Sequence, residues 1–216
     1  MGDLVGGRYP VTDEEWLLDG QPYPPYRRTV SRRDITSTVT LGTSATTAYL
    51  YVIPVQPGDL FNYVTLMVKT APTGTVSHSW VGVYGGYLKG ALLLAQTTDN
   101  TSGMSTGAQK LTLGSAIGNS PTVGTPQGPS TAATVSSGAA VWSILVYGPG
   151  SSAGTIFDGM AAGSVTGEQA FSTQPAMAST CTVTAGATAP ATLPTLTAIA
   201  GTTAGGGVPY ILLSQQ

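Results

Sequence analysis

Short runs of apolar residues, many of them alternating with polar ones, recur along most of the chain. In residues 60–70, Val64, Leu66 and Val68 alternate with threonine, methionine and lysine, whereas residues 49–53 are apolar on both faces. β-Branched and aromatic residues dominate these runs, and turn-forming residues separate them at short intervals. The pattern predicts β-strands, and no helical period of useful length accompanies it.

Nine runs predict strands, and they cover residues 35–41, 49–53, 60–70, 77–84, 91–97, 109–113, 141–147, 193–199 and 208–213. Two other stretches, residues 114–138 and 159–190, are rich in small and turn-forming residues and predict long loops with one strand inside each. Loops of that length in a compact domain are usually functional or held by a partner. The spacing of the strands predicts an all-β fold, either a sandwich or a barrel.

The first 34 residues follow a different pattern. Residues 12–15 (Thr-Asp-Glu-Glu) match a capping box, in which the threonine and the second glutamate cap the first turn of a helix. Three apolar residues come next in the sequence: Trp16, Leu17 and Leu18. A helix this short is marginal alone, so its apolar side must pack on the body or on a neighbouring subunit. Three prolines in residues 22–25 predict an extended path after it.

The charges divide the chain in the same way. Only 8% of the residues are charged, whereas an average globular chain carries about 25%. Five of the eight basic and six of the ten acidic residues lie in residues 1–34. Seven charged residues remain for the rest of the chain: Asp59, Lys69, Lys89, Asp99, Lys110, Asp158 and Glu168. We therefore predict an extended docking arm over residues 1–34 and a nearly uncharged β-domain over residues 35–216.

Four arginines close the arm: Arg27, Arg28, Arg32 and Arg33. Arginines in a cluster can bind phosphate, but six acidic residues share this arm and the net charge of the chain is −2. The composition therefore favours docking, with the arginines paired to carboxylates on a partner subunit, over nucleic-acid binding. We expect the docking residues to be these four together with Trp16, Leu17 and Leu18.

Residues that support catalysis are scarce. His78 is the only histidine and Cys181 the only cysteine, so a triad would depend on His78 alone, and no zinc site of several such ligands can form. A hydrolase with paired carboxylates would have to use acids such as Asp99 and Glu168. The sequence predicts no enzyme activity, no cofactor and no metal. It also shows neither a secretory signal nor an apolar run that would insert into a membrane.

Aromatic residues offer one further hypothesis, a carbohydrate-binding surface. Trp80 and Tyr87 are the candidate contacts with a glycan, and Tyr87 lies in a glycine-rich turn that favours exposure. The competing interpretation places Trp80 and Trp142 in the core on facing strands, because aromatic side chains dominate the cores of sandwiches.

Two motifs resemble a module of tailed phages that infect actinobacteria. Residues 79–84 (Ser-Trp-Val-Gly-Val-Tyr) are similar to its strand ending in Trp-x-x-Leu/Val-Tyr, and residues 92–97 (Leu-Leu-Leu-Ala-Gln-Thr) are similar to its following Leu-Leu-Ala-Gln-Ser strand. A later step, residues 133–138, precedes the strand at residues 141–147 as in that module. By pattern the resemblance covers residues 36–213, and a Pro/Gly insert at residues 114–130 departs from it.

The resemblance implies a jelly-roll-like antiparallel β-sandwich in a minor tail, fibre or head-decoration protein, with no catalytic residues. The expected function is that of a non-enzymatic structural protein of the virion, assembled in the host cytoplasm and anchored by its arm. Low charge favours a homo-oligomer, with a trimer as the favoured state, bound to other virion proteins. A capsid decoration protein and a module that binds host cell-wall glycan are the alternatives.

Overall fold

Fourteen β-strands in two antiparallel sheets make up the part of the chain that the structure describes. The structure is a computed structural model, and it describes residues 26–30, 32, 35–55, 59–119, 126–127, 140–160, 178–199 and 207–215. No α-helix occurs in these residues, so the all-β prediction is confirmed. The short helix predicted around Trp16 lies outside them.

The two sheets differ in size. The first contains eight strands: β1 (Tyr26–Arg28), β2 (Ser37–Thr40), β4 (Leu60–Thr70), β7 (Gly107–Asn119), β8 (Pro126–Gln127), β10 (Ile156–Met160), β13 (Val208–Pro209) and β14 (Ile211–Ser214). The second contains six strands: β3 (Thr47–Val55), β5 (Trp80–Tyr84), β6 (Leu93–Gln96), β9 (Ala140–Tyr147), β11 (Ala178–Thr182) and β12 (Leu196–Ala198). The spatial order of the second sheet is β12-β11-β3-β9-β5-β6.

Strand β4 lies at the centre of the first sheet. One of its edges pairs with β7, and the other pairs with β14 and then with β10, while β1 continues the sheet beyond β14. Val64, Leu66 and Val68 are buried, as their alternation predicts. Phe61 is buried too although it is out of phase, because the β4–β7 pairing has a bulge between Phe61 and Tyr63.

The main core lies between the two sheets, which face each other in a sandwich-like arrangement. Phe61, Leu66 and Phe157 contribute from the first sheet, and Tyr51 and Trp142 from the second. The rings of Phe61 and Trp142 meet edge to face with centroids 6.0 Å apart, which ties the two layers together at this point.

The second sheet is buried on both faces. Residues 183–196, which we call the strap, cover the outer face and bury Leu50, Trp80, Tyr84 and Leu145 beneath them. The apolar character of both faces in residues 49–53 has its explanation here. Trp80 and Trp142 are both fully buried, as the core interpretation predicts. They do not lie on facing strands, however: they lie on neighbouring strands of one sheet and point to its opposite faces.

Candidate functional site

The arm joins the body along the side of β14 that faces away from β4. Strand β1 pairs with β14 from Tyr26, opposite Ser214, to Arg28, opposite Leu212. Just beyond it, the buried hydroxyl of Thr29 donates to the carbonyl of Pro209 and accepts from the amide of Ile211 at 3.0 Å. Residues 26–30 are therefore part of the sheet, although the sequence assigns them to the arm.

An ion pair fixes this junction. The guanidinium of Arg27 donates two hydrogen bonds to the carboxylate of Asp59, Nε to Oδ2 at 2.6 Å and Nη2 to Oδ1 at 2.8 Å. The two side chains are only 22% and 15% exposed, so solvent screens the pair less than an open surface pair. Arg27 thus pairs within its own chain, where the sequence predicted a carboxylate on a partner subunit.

The other predicted docking residues divide into two groups. Arg28 is half-buried and lies over the ring of Tyr26, and Arg32 is exposed, with its Nε donating to the hydroxyl of Tyr210 at 3.3 Å. Four of them lie outside the described residues: Trp16, Leu17, Leu18 and Arg33.

Most of the charged residues that the structure describes in the body have a partner within the chain, whereas Lys89 is exposed. Asp59 pairs with Arg27, and Asp158 lies 3.9 Å from the ammonium of Lys69. The ammonium of Lys110 lies 4.1 Å from the centroid of the Tyr63 ring, a cation–π contact. With only seven charged residues in positions 35–216, the body has few charges to place on its surface.

His78 lies beside an acidic residue. Its Nδ1 is 2.6 Å from Oδ2 of Asp99, and the other carboxylate oxygen accepts from the backbone amide of Ser79 at 3.0 Å. Asp99 is 15% exposed and His78 is 32% exposed. The carboxylate thus joins the segment before β5 to the loop after β6, which gives both residues a structural role.

We expect Asp99→Ala to lower the free energy of unfolding by about 1–3 kcal/mol, because it removes the acceptor of both a backbone amide and an imidazole. Asp99→Asn is the matched control, since its side-chain oxygen can still accept from the Ser79 amide. Urea denaturation measures both variants. Equal stability of Asp99→Ala and the unchanged chain would contradict the structural role.

The two candidate glycan contacts have different environments. Trp80 has no exposed surface: its ring stacks on Tyr147 with centroids 5.0 Å apart, and its indole N–H donates to the Gly186 carbonyl at 2.9 Å. A sugar could stack on Trp80 only if the strap moved away. Tyr87 is half-buried and packs against the same cluster.

Cys181 belongs to the apolar cluster between the second sheet and the strap. Burial raises the pKa of its thiol to about 11 from an ordinary value of 9.0. Because the thiolate is the reactive form, we expect the native thiol to react with iodoacetamide about 100-fold more slowly at pH 8 than the thiol of the urea-unfolded chain. Mass spectrometry of the timed reaction measures this ratio. Equal rates would show that the thiol is open to solvent.

The same pKa predicts a dependence of stability on pH. The folded chain holds the thiol proton more tightly than the unfolded chain, so this contribution is complete below about pH 9 and is lost as the pH rises through about 11. Cys181→Ala should therefore lose less stability than the unchanged chain between pH 9 and 10. Burial also raises the pKa of Tyr51 and Tyr84, but those phenols are common to both proteins. Parallel urea midpoints across this range would contradict the prediction.

Two other kinds of site are absent from the residues that the structure describes. The described residues contain no cluster of three or more His, Cys, Asp or Glu side chains that could hold a metal ion. They also contain no helix long and apolar enough to cross a lipid bilayer. Comparison of the chain with protein-family models, with curated proteins and with solved structures finds no match.

Proposed function

We propose that this chain is a non-enzymatic structural protein of a tailed-phage particle, a minor tail or fibre-type component exposed on the virion. Residues N-terminal to β1 anchor it to its neighbours, and the sandwich-like body has the jelly-roll type of connection. The chain acts as a homo-oligomer, with a trimer as the favoured state.

The distribution of charge is the observation that carries the proposal. Asp59 and Asp158 lie against Arg27 and Lys69 of the same chain, so these two pairs add little net charge to the surface. A soluble monomer usually relies on charged surface residues to avoid association. A neutral surface suits a subunit that is covered by other subunits in a symmetric assembly.

The attachment of the arm supports the same proposal. An anchor transmits force or position only if its base is fixed to the body, and β1, Thr29 and the Arg27–Asp59 pair provide such a base. The 25 residues before β1 could reach about 80 Å if fully extended, at about 3.3 Å per residue. That reach is sufficient to cross a neighbouring subunit.

The two phage-like motifs also occupy compatible positions. One contains β5 and the other contains β6, and these strands pair antiparallel with Gly82 opposite Gln96. The motifs therefore form adjacent strands, as two consecutive strands of a conserved module would.

The same features fit a capsid decoration protein, which is the alternative position on the particle. Labelling the chain with an antibody in electron micrographs separates the two, because a tail component marks the tail and a decoration protein marks the head. A host-glycan module is the second alternative. It depends on Tyr87, and loss of glycan binding in Tyr87→Ala with unchanged stability would support it.

Deletion of residues 1–25 tests the proposal. We expect the shortened body to fold, since it keeps β1 and the Arg27–Asp59 pair, but to be absent from purified particles. Quantitative mass spectrometry of particles from cells that produce either chain measures incorporation. A chain in which a Gly/Ser segment of equal length replaces residues 1–25 is the matched control, and it should also fail to incorporate. Normal incorporation of the deletion variant would overturn the proposal.

A further inference from the structure

An open apolar groove lies where the two sheets meet. The edge strand β6 of the second sheet and strand β7 of the first touch at the bridge between Thr97 and Leu113, and the groove lies beside this bridge. It has a volume of about 620 Å³, and its lining includes Leu92, Leu93 and Ala191. This volume is within the range of about 300–1,000 Å³ that binding pockets have.

The lining provides little polar specificity. Gln96 is its largest polar side chain, but its Oε1 accepts from the amide of Ala189 at 2.7 Å, so the strap engages this group. No titratable side chain lines the groove. An apolar occupant therefore fits better than a polar small molecule.

One exposed turn adjoins the groove in the sequence. Leu88 is 66% exposed, the largest exposure among the big apolar side chains that the structure describes, and Lys89 beside it is also exposed. The turn leads directly into Leu92, and its Gly90 amide donates to the carbonyl of Leu193 in the strap at 2.9 Å. The turn that carries this apolar side chain and this positive charge is thus hydrogen-bonded to the strap two residues from Ala191 of the groove.

The groove and the arm lie at opposite edges of the first sheet. Tyr26 is opposite Ser214, Ser214 is opposite Tyr63, and Tyr63 is opposite Thr112 of β7, so the four form one row across the sheet. Gly114, which lines the groove, is two residues along β7 from Thr112, where this row ends. Copies placed side by side in one orientation would bring the arm of one copy next to the groove of the following copy.

We propose that the groove binds residues 13–18 of the arm of a second copy of this chain, which deepens and rests on the proposed function. The segment reads Asp-Glu-Glu-Trp-Leu-Leu, so it pairs three carboxylates with three large apolar side chains. Its apolar residues match the groove, and its carboxylates match Lys89 at the adjoining turn. Residue 18 is eight positions from Tyr26, about 26 Å when extended, so the segment can extend from the β1 edge to the groove of a copy placed beside it.

The edge-to-edge arrangement favours binding between copies. Such a contact joins two different surfaces, and it closes into a ring when the rotation between copies allows it, as in a trimer. Binding to the same copy would need the arm to turn back and cross its own sheet, against the extended path that the prolines of residues 22–25 predict.

Variants on the two sides of the contact test this proposal in the full-length chain. We expect Trp16→Ala on the arm and Ala191→Glu at the groove each to raise the dissociation constant of the oligomer at least 10-fold by analytical ultracentrifugation. Ala45→Glu places the same charge on the exposed turn before β3 and is the matched control, with no change expected. Circular dichroism checks the folding of each variant. Lys89→Glu is a second groove-side variant and should also raise the dissociation constant. Adding Glu14→Lys and Glu15→Lys to it should restore binding, because the charges are then exchanged between the two sides.

Mixing the two single variants distinguishes binding between copies from binding within one. Trp16→Ala keeps an intact groove and Ala191→Glu keeps an intact arm, so an equimolar mixture should form a heterodimer that neither variant forms alone. Failure of the two folded variants to form a heterodimer would overturn the proposal. An oligomer whose dissociation constant neither substitution changes would overturn it as well. A chain that is monomeric alone and uses the groove for a different protein would overturn it too. The proposed function is judged separately, since it depends on incorporation of the arm deletion into particles.

Discussion

Replacing Trp80 with alanine is expected to lower the free energy of unfolding by about 3–5 kcal/mol. The indole has no exposed surface, stacks on Tyr147 and donates to the carbonyl of Gly186 in the strap. Its removal leaves a cavity between the second sheet and the strap, and it also breaks one of the hydrogen bonds that hold the strap. Chemical denaturation followed by circular dichroism measures the loss.

Tyr147→Phe is the matched control for Trp80→Ala. It keeps the ring stack and removes only the hydroxyl, which donates to the carbonyl of Ala45 at 2.8 Å, so a loss of about 1 kcal/mol is expected. A loss below about 1 kcal/mol in Trp80→Ala would mean that the strap does not pack on this face in solution.

Deleting residues 1–34 is expected to destabilise the body by more than about 3 kcal/mol, whereas deleting residues 1–25 is not. The longer deletion removes β1, the partner of Asp59 and the buried side chains of Thr29 and Val30. It also uncovers the small cluster around Tyr210 on the outer face of the first sheet. Thermal unfolding of the two purified proteins gives the comparison.

This pair of deletions decides how an incorporation experiment is interpreted. A chain that lacks residues 1–34 can fail to enter a particle simply because it is unstable. The chain that lacks residues 1–25 isolates the role of the anchor. Equal melting temperatures of the two would show that β1 does not contribute to the folded body.

The strands with regular alternation could be predicted from the sequence, and the predicted bounds of β4 are those of the structure. Strand β11 consists of small residues, Ala-Ser-Thr-Cys-Thr, whose apolar pattern is too weak to locate it within its long loop. Strand β1 was missed for another reason. Its residues are Tyr and Arg, and the partner that makes them a strand is at the other end of the chain, with Thr29 and Ile211 182 positions apart.

The candidate site was less accessible to sequence reasoning than the fold. The sequence identified Arg27 as a docking residue and Asp59 only as one of the few charges of the body, because nothing local connects positions 32 apart. The apolar residues at 49–53 indicated that both faces of this strand are buried, but they did not indicate that the strap covers its outer face. The burial of Trp80 follows from that cover, and it is a property of tertiary packing.

The pairing of β1 with β14 has a consequence for the order of events during synthesis. Residues 211–214 must leave the ribosome before β1 has a partner, so the first sheet is completed only after these residues have been made. Contacts between such distant positions raise the contact order and slow folding. A nascent or truncated polypeptide without residues 211–214 therefore lacks a fixed base for its anchor, and this topology favours assembly from molecules that already contain them.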